Sequence, residues 1–144
     1  MSSTLLVVGE DLDFLSIVST FLSSRFLVLT ASTPAQALRL VRTCKVDLVL
    51  SNLDLRDPHG LELAFLLRRE LPLALPILTM THNNLRRLDE HDRARIEGMA
   101  NVFGPIENSG DLSELRRQVE ATLRHATIEE SAFGPSATGP AWGI

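Results

Sequence analysis

Five short apolar runs, each followed by a helical pattern, constrain the fold of this chain more than any other feature. The runs are Leu5–Val8, Phe26–Leu29, Val46–Leu50, Ile77–Met80 and Asn101–Phe103. They are blocks rather than alternating stretches, as in strands covered on both faces. The last begins on a polar residue and is the weakest. Asp11 can cap a first helix whose Phe14, Leu15, Val18, Phe21 and Leu22 share one stripe. Thr33-Pro34 is a cap followed by a first-turn proline, with Ala37, Leu38, Val41 and Cys44 on the inner face. A third helix is expected from near Gly60 to before Pro72. A fourth, from about Asn84 to Glu97, has only Leu85, Leu88, Ile96 and Met99 to bury. The fifth starts at Asp111 with Glu114 as a capping box and buries Leu112, Leu115, Val119 and Leu123.

Five such βα repeats predict an α/β domain over residues 1–126. The expected form is a doubly wound, five-stranded parallel sheet in a three-layer α/β/α sandwich, with flavodoxin-like (βα)5 topology. Residues 127–144 contain Gly134, Pro135, Gly139, Pro140 and Gly143, which predicts a flexible tail or linker with Trp142 as a bystander.

Composition narrows the function. The 144 residues are 44% hydrophobic with a net charge of −4, which is enough for one core and too acidic for a phosphate-gripping nucleic-acid binder. Between Arg86 and Glu97 arginines and acids balance, and the Arg68-Arg69 and Arg86-Arg87 pairs read as solvated helix faces. Lys45 is the one lysine. Cys44 is the one cysteine, which rules out an internal disulfide and suits a reducing compartment. No apolar stretch reaches membrane-span length and no signal peptide is visible, so a cytoplasmic protein is the expectation.

In a fold of this kind the strand ends present the ligand or reactive group. The loop starts offer Gly9-Glu10-Asp11, Asn52 with Asp54, Thr81-His82 and Gly104-Pro105. At the central strand that means a carboxamide, whose nitrogen is not nucleophilic and whose oxygen carries no charge. Gly60 follows Asn52 by eight residues. Together with Leu6-Val7-Val8 ahead of an acidic turn, Thr81 after Pro76-Ile-Leu-Thr-Met, and Pro105 after the fifth strand, this register resembles the receiver domain of bacterial two-component response regulators. The match covers about residues 4–126, with one extra residue between Thr81 and the fifth strand.

That resemblance implies a receiver whose chemistry is degraded. The family's two metal-binding acids fall on Gly9 and Glu10, and its phosphoaccepting aspartate on Asn52. The switch hydroxyl falls on Thr81, the aromatic switch position on Asn101 and the lysine on Gly104. Independently of the family, phosphoryl transfer to a carboxylate needs an oxygen nucleophile, a hard divalent cation and a positive group. Gly9 has no side chain, Asn52 has a neutral oxygen, and Lys45 precedes the third strand, at its opposite end. Glu10 alone is a weak metal candidate, and Asp11 is spent on the cap.

Other readings of these residues stay open. Asp54 is the alternative phosphoacceptor, with magnesium required only on that reading, although Asp54 and Asp57 also suit a turn facing water beside Pro58 and Gly60. Thr81 could hydrogen-bond Asn52 or be satisfied by local backbone. His82 lacks a nucleophile and an orienting carboxylate. Asp57-Pro58-His59-Gly60 has the wrong glycine spacing for a cobalamin loop, and Gly9 alone cannot cradle a nucleotide phosphate. The expectation is a non-enzymatic, phosphorylation-independent interaction module without a cofactor. It would meet protein partners, or a second copy of itself, through the fourth helix, fifth strand and fifth helix, and neither nucleic acid nor membrane. A working phosphorelay receiver and a small-ligand binder using the space around Gly9, Asn52 and Gly104 are the alternatives.

Overall fold

The computed structural model describes residues 3–53, 58–81, 90–107 and 111–133. Strands β1 (Thr4–Val8), β2 (Leu27–Ala31), β3 (Leu48–Asn52), β4 (Ile77–Thr81) and β5 (Val102–Glu107) alternate with helices α1 (Leu12–Leu22), α2 (Pro34–Thr43), α3 (Pro58–Glu70), α4 (Glu90–Glu97) and α5 (Leu112–Phe133). All strands are parallel, in the order β2-β1-β3-β4-β5. The expected doubly wound sheet is therefore the one observed.

The pleat divides the core in two. Leu5, Val7, Leu48, Leu50, Leu78 and Met80 meet α1 and α5 through Phe14, Leu15, Val18, Leu22, Leu115 and Val119. Their neighbours Leu6, Val8, Val49 and Ile77 meet Ala37, Leu67 and Leu71 on the other face. Apolar blocks, rather than alternation, are what burial of both faces demands. Leu53, Ala64 and Ile96 form a smaller cluster beneath α4, so α4 is anchored there by one buried side chain.

Capping sets the helix starts. Asp11 accepts from the amides of Asp13 (3.0 Å) and Phe14 (3.2 Å), and Thr33 accepts from that of Gln36 (3.1 Å). Asp111 accepts from Ser113 and Glu114, while the Glu114 carboxylate turns along its own helix to Gln118 and Arg117. Asp47, an acid inside an apolar run, sits at the strand starts, where its Oδ2 accepts the Thr4 amide at 2.7 Å. Cys44, expected on the inner face of α2, is exposed as its C-cap.

Strands β2, β3 and β4 end one or two residues later than the apolar runs Phe26–Leu29, Val46–Leu50 and Ile77–Met80, and two boundaries differ more. The fifth strand, read as Asn101–Phe103, runs to Glu107 because a bulge absorbs the Gly104-Pro105 break: Leu78 faces Phe103, but Met80 faces Ile106. The Gly104–Pro105 peptide is cis. Helix α5 passes residue 126 and reaches Phe133, since no glycine or proline interrupts it before Gly134-Pro135. Trp142, Asp54, Asp57, His82, Leu85 and Leu88 lie outside the described residues.

Candidate functional site

At the carboxyl edge of the sheet, β1 and β3 are in register through Val8 and Ser51, which sets Gly9 beside Asn52. The Gly9 amide donates to Ala31 at 3.1 Å, which holds the turn close to β2. A Cβ on Gly9 would lie 3.1 Å from the Asn52 Cβ, 3.5 Å from its Nδ2 and 3.6 Å from the Phe14 ring. A side chain at residue 9 would therefore be in ordinary contact with Phe14 and in tight contact with the Asn52 Cβ. Asn52 is only 4% exposed, and its Oδ1 has no hydrogen-bond partner among the described residues. A buried, unpaired amide oxygen is costly, about 1–3 kcal/mol.

Thr81 is fully buried at the end of β4. Asn52 faces Met80 in the register, so the two-residue pleat directs Thr81 to the opposite face from Asn52. With the Asn52 oxygen unpartnered, the hydrogen bond by which Thr81 could have pinned it is not made. Glu10 is exposed on the loop after β1 and borders a groove of about 300 Å³ with Ser32, Pro34, Glu62, Leu66 and Arg69, on the side of α2 and α3. Asp11 stays on its cap. Among the described residues, no group of three His, Cys, Asp or Glu side chains is placed to hold a metal ion. A magnesium site of the kind the family uses is not fitted by the described residues. A hard cation usually takes one or two carboxylates placed together, and here the neutral Asn52 oxygen is buried while the Glu10 carboxylate borders the groove on the side of α2 and α3.

The remaining two positions lie elsewhere. Asn101 is at the amino edge of the sheet, in the turn before β5, with φ 57. Its Nδ2 donates to the Leu73 carbonyl at 2.9 Å and its own carbonyl accepts from Ile77. Gly104 lies within β5 at the bulge, with φ +93. A Cβ there would collide with the Thr79 carbonyl oxygen and stand 2.7 Å from the Thr79 hydroxyl. Thr79 Oγ1 in turn donates to the Phe103 carbonyl at 2.8 Å, so the hydroxyl satisfies a carbonyl beside the bulge. The sheet brings Gly9, Asn52 and Thr81 to one edge and leaves Asn101 and Gly104 away from it.

Two features escaped sequence reasoning. Arg68, read as part of a solvated pair, is half-buried, and burial lowers its pKa. It lies four residues after the buried Ala64, a spacing that marks the inner side of α3. Arg95 of α4 stands 3.9 Å over the Phe65 ring of α3 and is flanked by Asp92 and Glu62. No sequence signal links those two helices.

Comparison with known proteins agrees with the fold. The response regulator receiver domain family matches residues 5–103. The chain belongs to that family, whose members act in two-component signalling. No curated protein matches it. Among solved structures, NtrX from Brucella abortus in complex with ADP is 24% identical with a TM-score of 0.72, covering 92% of this chain and 28% of NtrX. The signal receiver domain of an HD domain-containing protein from Pseudomonas fluorescens Pf-5 is 21% identical, TM-score 0.72, covering 90% of this chain and 93% of that one. A CheY-like receiver from Methanospirillum hungatei JF-1 is 18% identical, TM-score 0.70, covering 90% and 99%. At these identities the likeness is one of fold. The chain spans less than a third of NtrX. No helix among the described residues is long and apolar enough to cross a membrane.

Proposed function

We propose that this receiver works without phosphorylation, as a non-catalytic module that recognises protein partners by its surface. The observation that carries the reading is Asn52. The central strand delivers an uncharged, non-nucleophilic amide to the position that chemistry would use, and buries it against Gly9. Aspartyl phosphorylation would need a carboxylate there, a metal held by further acids and a cation for the transferred charge. The described residues assemble none of these at Asn52. Backbone closure at Gly104 further argues against a cation projected from that position.

The surface of α4, β5 and α5 is the proposed contact face for a partner or a second copy. Its helices carry mixed charge, but Arg95 with Asp92 lies on the side of α4 that meets Phe65 and Glu62 of α3. Arg116 with Glu120 lies on the side of α5 that meets Phe21 and Arg25, so these pairs border the face rather than fill it. Such patterns favour register and partner choice over raw affinity.

The test is incubation with magnesium and a small-molecule phosphodonor, followed by intact mass measurement. An unchanged mass is expected. A phosphoryl adduct mapped to an aspartate, Asp54 first among them, together with a change in assembly, would overturn the proposal.

A further inference from the structure

We infer that Arg68, assisted by Asn101, is a positioning residue that ties the α4–β5 turn to the end of α3 and so holds the α4–β5 side of the proposed partner face in one arrangement. Its Nη1 donates to the carbonyls of Leu75 (2.9 Å), Asn101 (3.3 Å) and Ala100 (3.5 Å). Its Nη2 donates to those of Leu71 (3.4 Å) and Pro72. One guanidinium thus bridges the end of α3, the α3–β4 loop and the turn leading into β5. The partners of both Nη atoms are all carbonyls, while the buried Nε has no partner among the described residues. A planar fork with five donors suits such a cluster, and the carbonyls ending α3 supply the negative end of a helix dipole. Asn101 stitches the same segments in the reverse direction, from the turn back to Leu73, while its carbonyl accepts from both Arg68 and Ile77.

The functional meaning rests on the phosphorylation-independent reading. The chemistry missing around Asn52 could not reposition this face, and the clamp fixes it from the opposite edge of the sheet. A guanidinium bound only to carbonyls stays charged through neutral pH, so the device has no acid–base trigger there.

Hydrogen–deuterium exchange resolved by peptide tests this. In Arg68→Ala, exchange across Leu71–Ile77 and Ala100–Phe103 is expected to rise about tenfold or more, with the β1 and β3 peptides unchanged. Arg68→Lys should fall between the variant and the native protein. Asn101→Gly, which tolerates the positive φ and removes only the bond to Leu73, should produce a smaller rise in the same peptides. Arg69→Ala, which removes a neighbouring arginine paired with Glu70, should produce none. A rise spread evenly over β1 and β3, no rise, or an equal effect from Arg69→Ala would overturn the assignment. If Arg68→Ala does not fold, Arg68→Lys and Asn101→Gly decide by the same criterion. A phosphoryl adduct on the native protein would sink the functional reading but leave the exchange pattern intact, so the two failures are distinguishable.

Discussion

The Asn52 side chain occupies the approach to Gly9, with its Cβ 3.1 Å from where a Cβ on residue 9 would stand. The two positions are in tight contact: a side chain at residue 9 would press on the Asn52 Cβ, which would have to give slightly. On the proposed reading, an aspartate at residue 52 alone should not create phosphoryl-transfer chemistry. Asn52→Asp is expected to remain unmodified by magnesium and a phosphodonor, as read by intact mass. It should also destabilise the fold at neutral pH by about 1–3 kcal/mol, because a carboxylate would be buried without a partner. Burial raises the folded-state pKa of the introduced carboxyl above its unfolded value of about 3.9. The variant should thus match the native protein best below that unfolded value and lose stability as pH rises through the folded one. Urea melts from acid to neutral pH check the sign, and a deficit that shrinks towards neutrality would contradict the buried geometry.

Gly104 is expected to resist every substitution. Its φ of +93 alone costs a side chain about 1–3 kcal/mol, and the collision with Thr79 adds to that. Gly104→Ala should lower the urea midpoint markedly, whereas Gly98→Ala, whose nearest approach is 3.2 Å to Ala94 O within its own turn, should cost less. Equal stability of Gly104→Ala and the native protein would show that the bulge is placed otherwise.

The layered fold was legible because the apolar blocks are long enough to mark strands and the cap residues Asp11, Thr33 and Asp111 stand where they are needed. Strand ends were less so: Ser51, Asn52 and Thr81 are polar yet fully ordered into β3 and β4, where ladder pairing rather than hydropathy sets the limit. Gly104-Pro105 reads as a breaker, and only the pairing with β4 reveals it as a bulge inside a longer strand. At the site, the company of Gly9 and Asn52 follows from strand order. The separation of Thr81 from Asn52 follows from the pleat, which depends on a β3–β4 register that no local pattern encodes. Arg68 was hidden by its twin, since paired arginines look solvated whichever one the helix turns inward.

Ser51 provides a test of the opposite kind. It lies between Val8 and Thr79 in the sheet, is wholly buried, and its hydroxyl has no partner among the described residues. Removing an unsatisfied buried hydroxyl relieves a desolvation cost while leaving almost no cavity. Ser51→Ala is expected to raise stability by about 1 kcal/mol, seen as a higher urea midpoint at unchanged slope. A fall of similar size would mean the hydroxyl is hydrogen-bonded in solution.

Asp11 separates the structural from the metal-binding reading of the acidic turn. Its carboxylate is engaged by the Asp13 and Phe14 amides at the start of α1, where an anion also meets the positive end of the helix dipole. Asp11→Ala should therefore cost about 1 kcal/mol whether or not magnesium is present. If the turn instead held a cation, magnesium would stabilise the native protein in proportion to its occupancy, and the variant would lose that increment. Thermal melts of both proteins across a magnesium titration distinguish the cases. Parallel flat curves, offset by the cap, are the expected result, because the Asp11 carboxylate is engaged by the helix start and the described residues gather no group of three acids there to hold a cation.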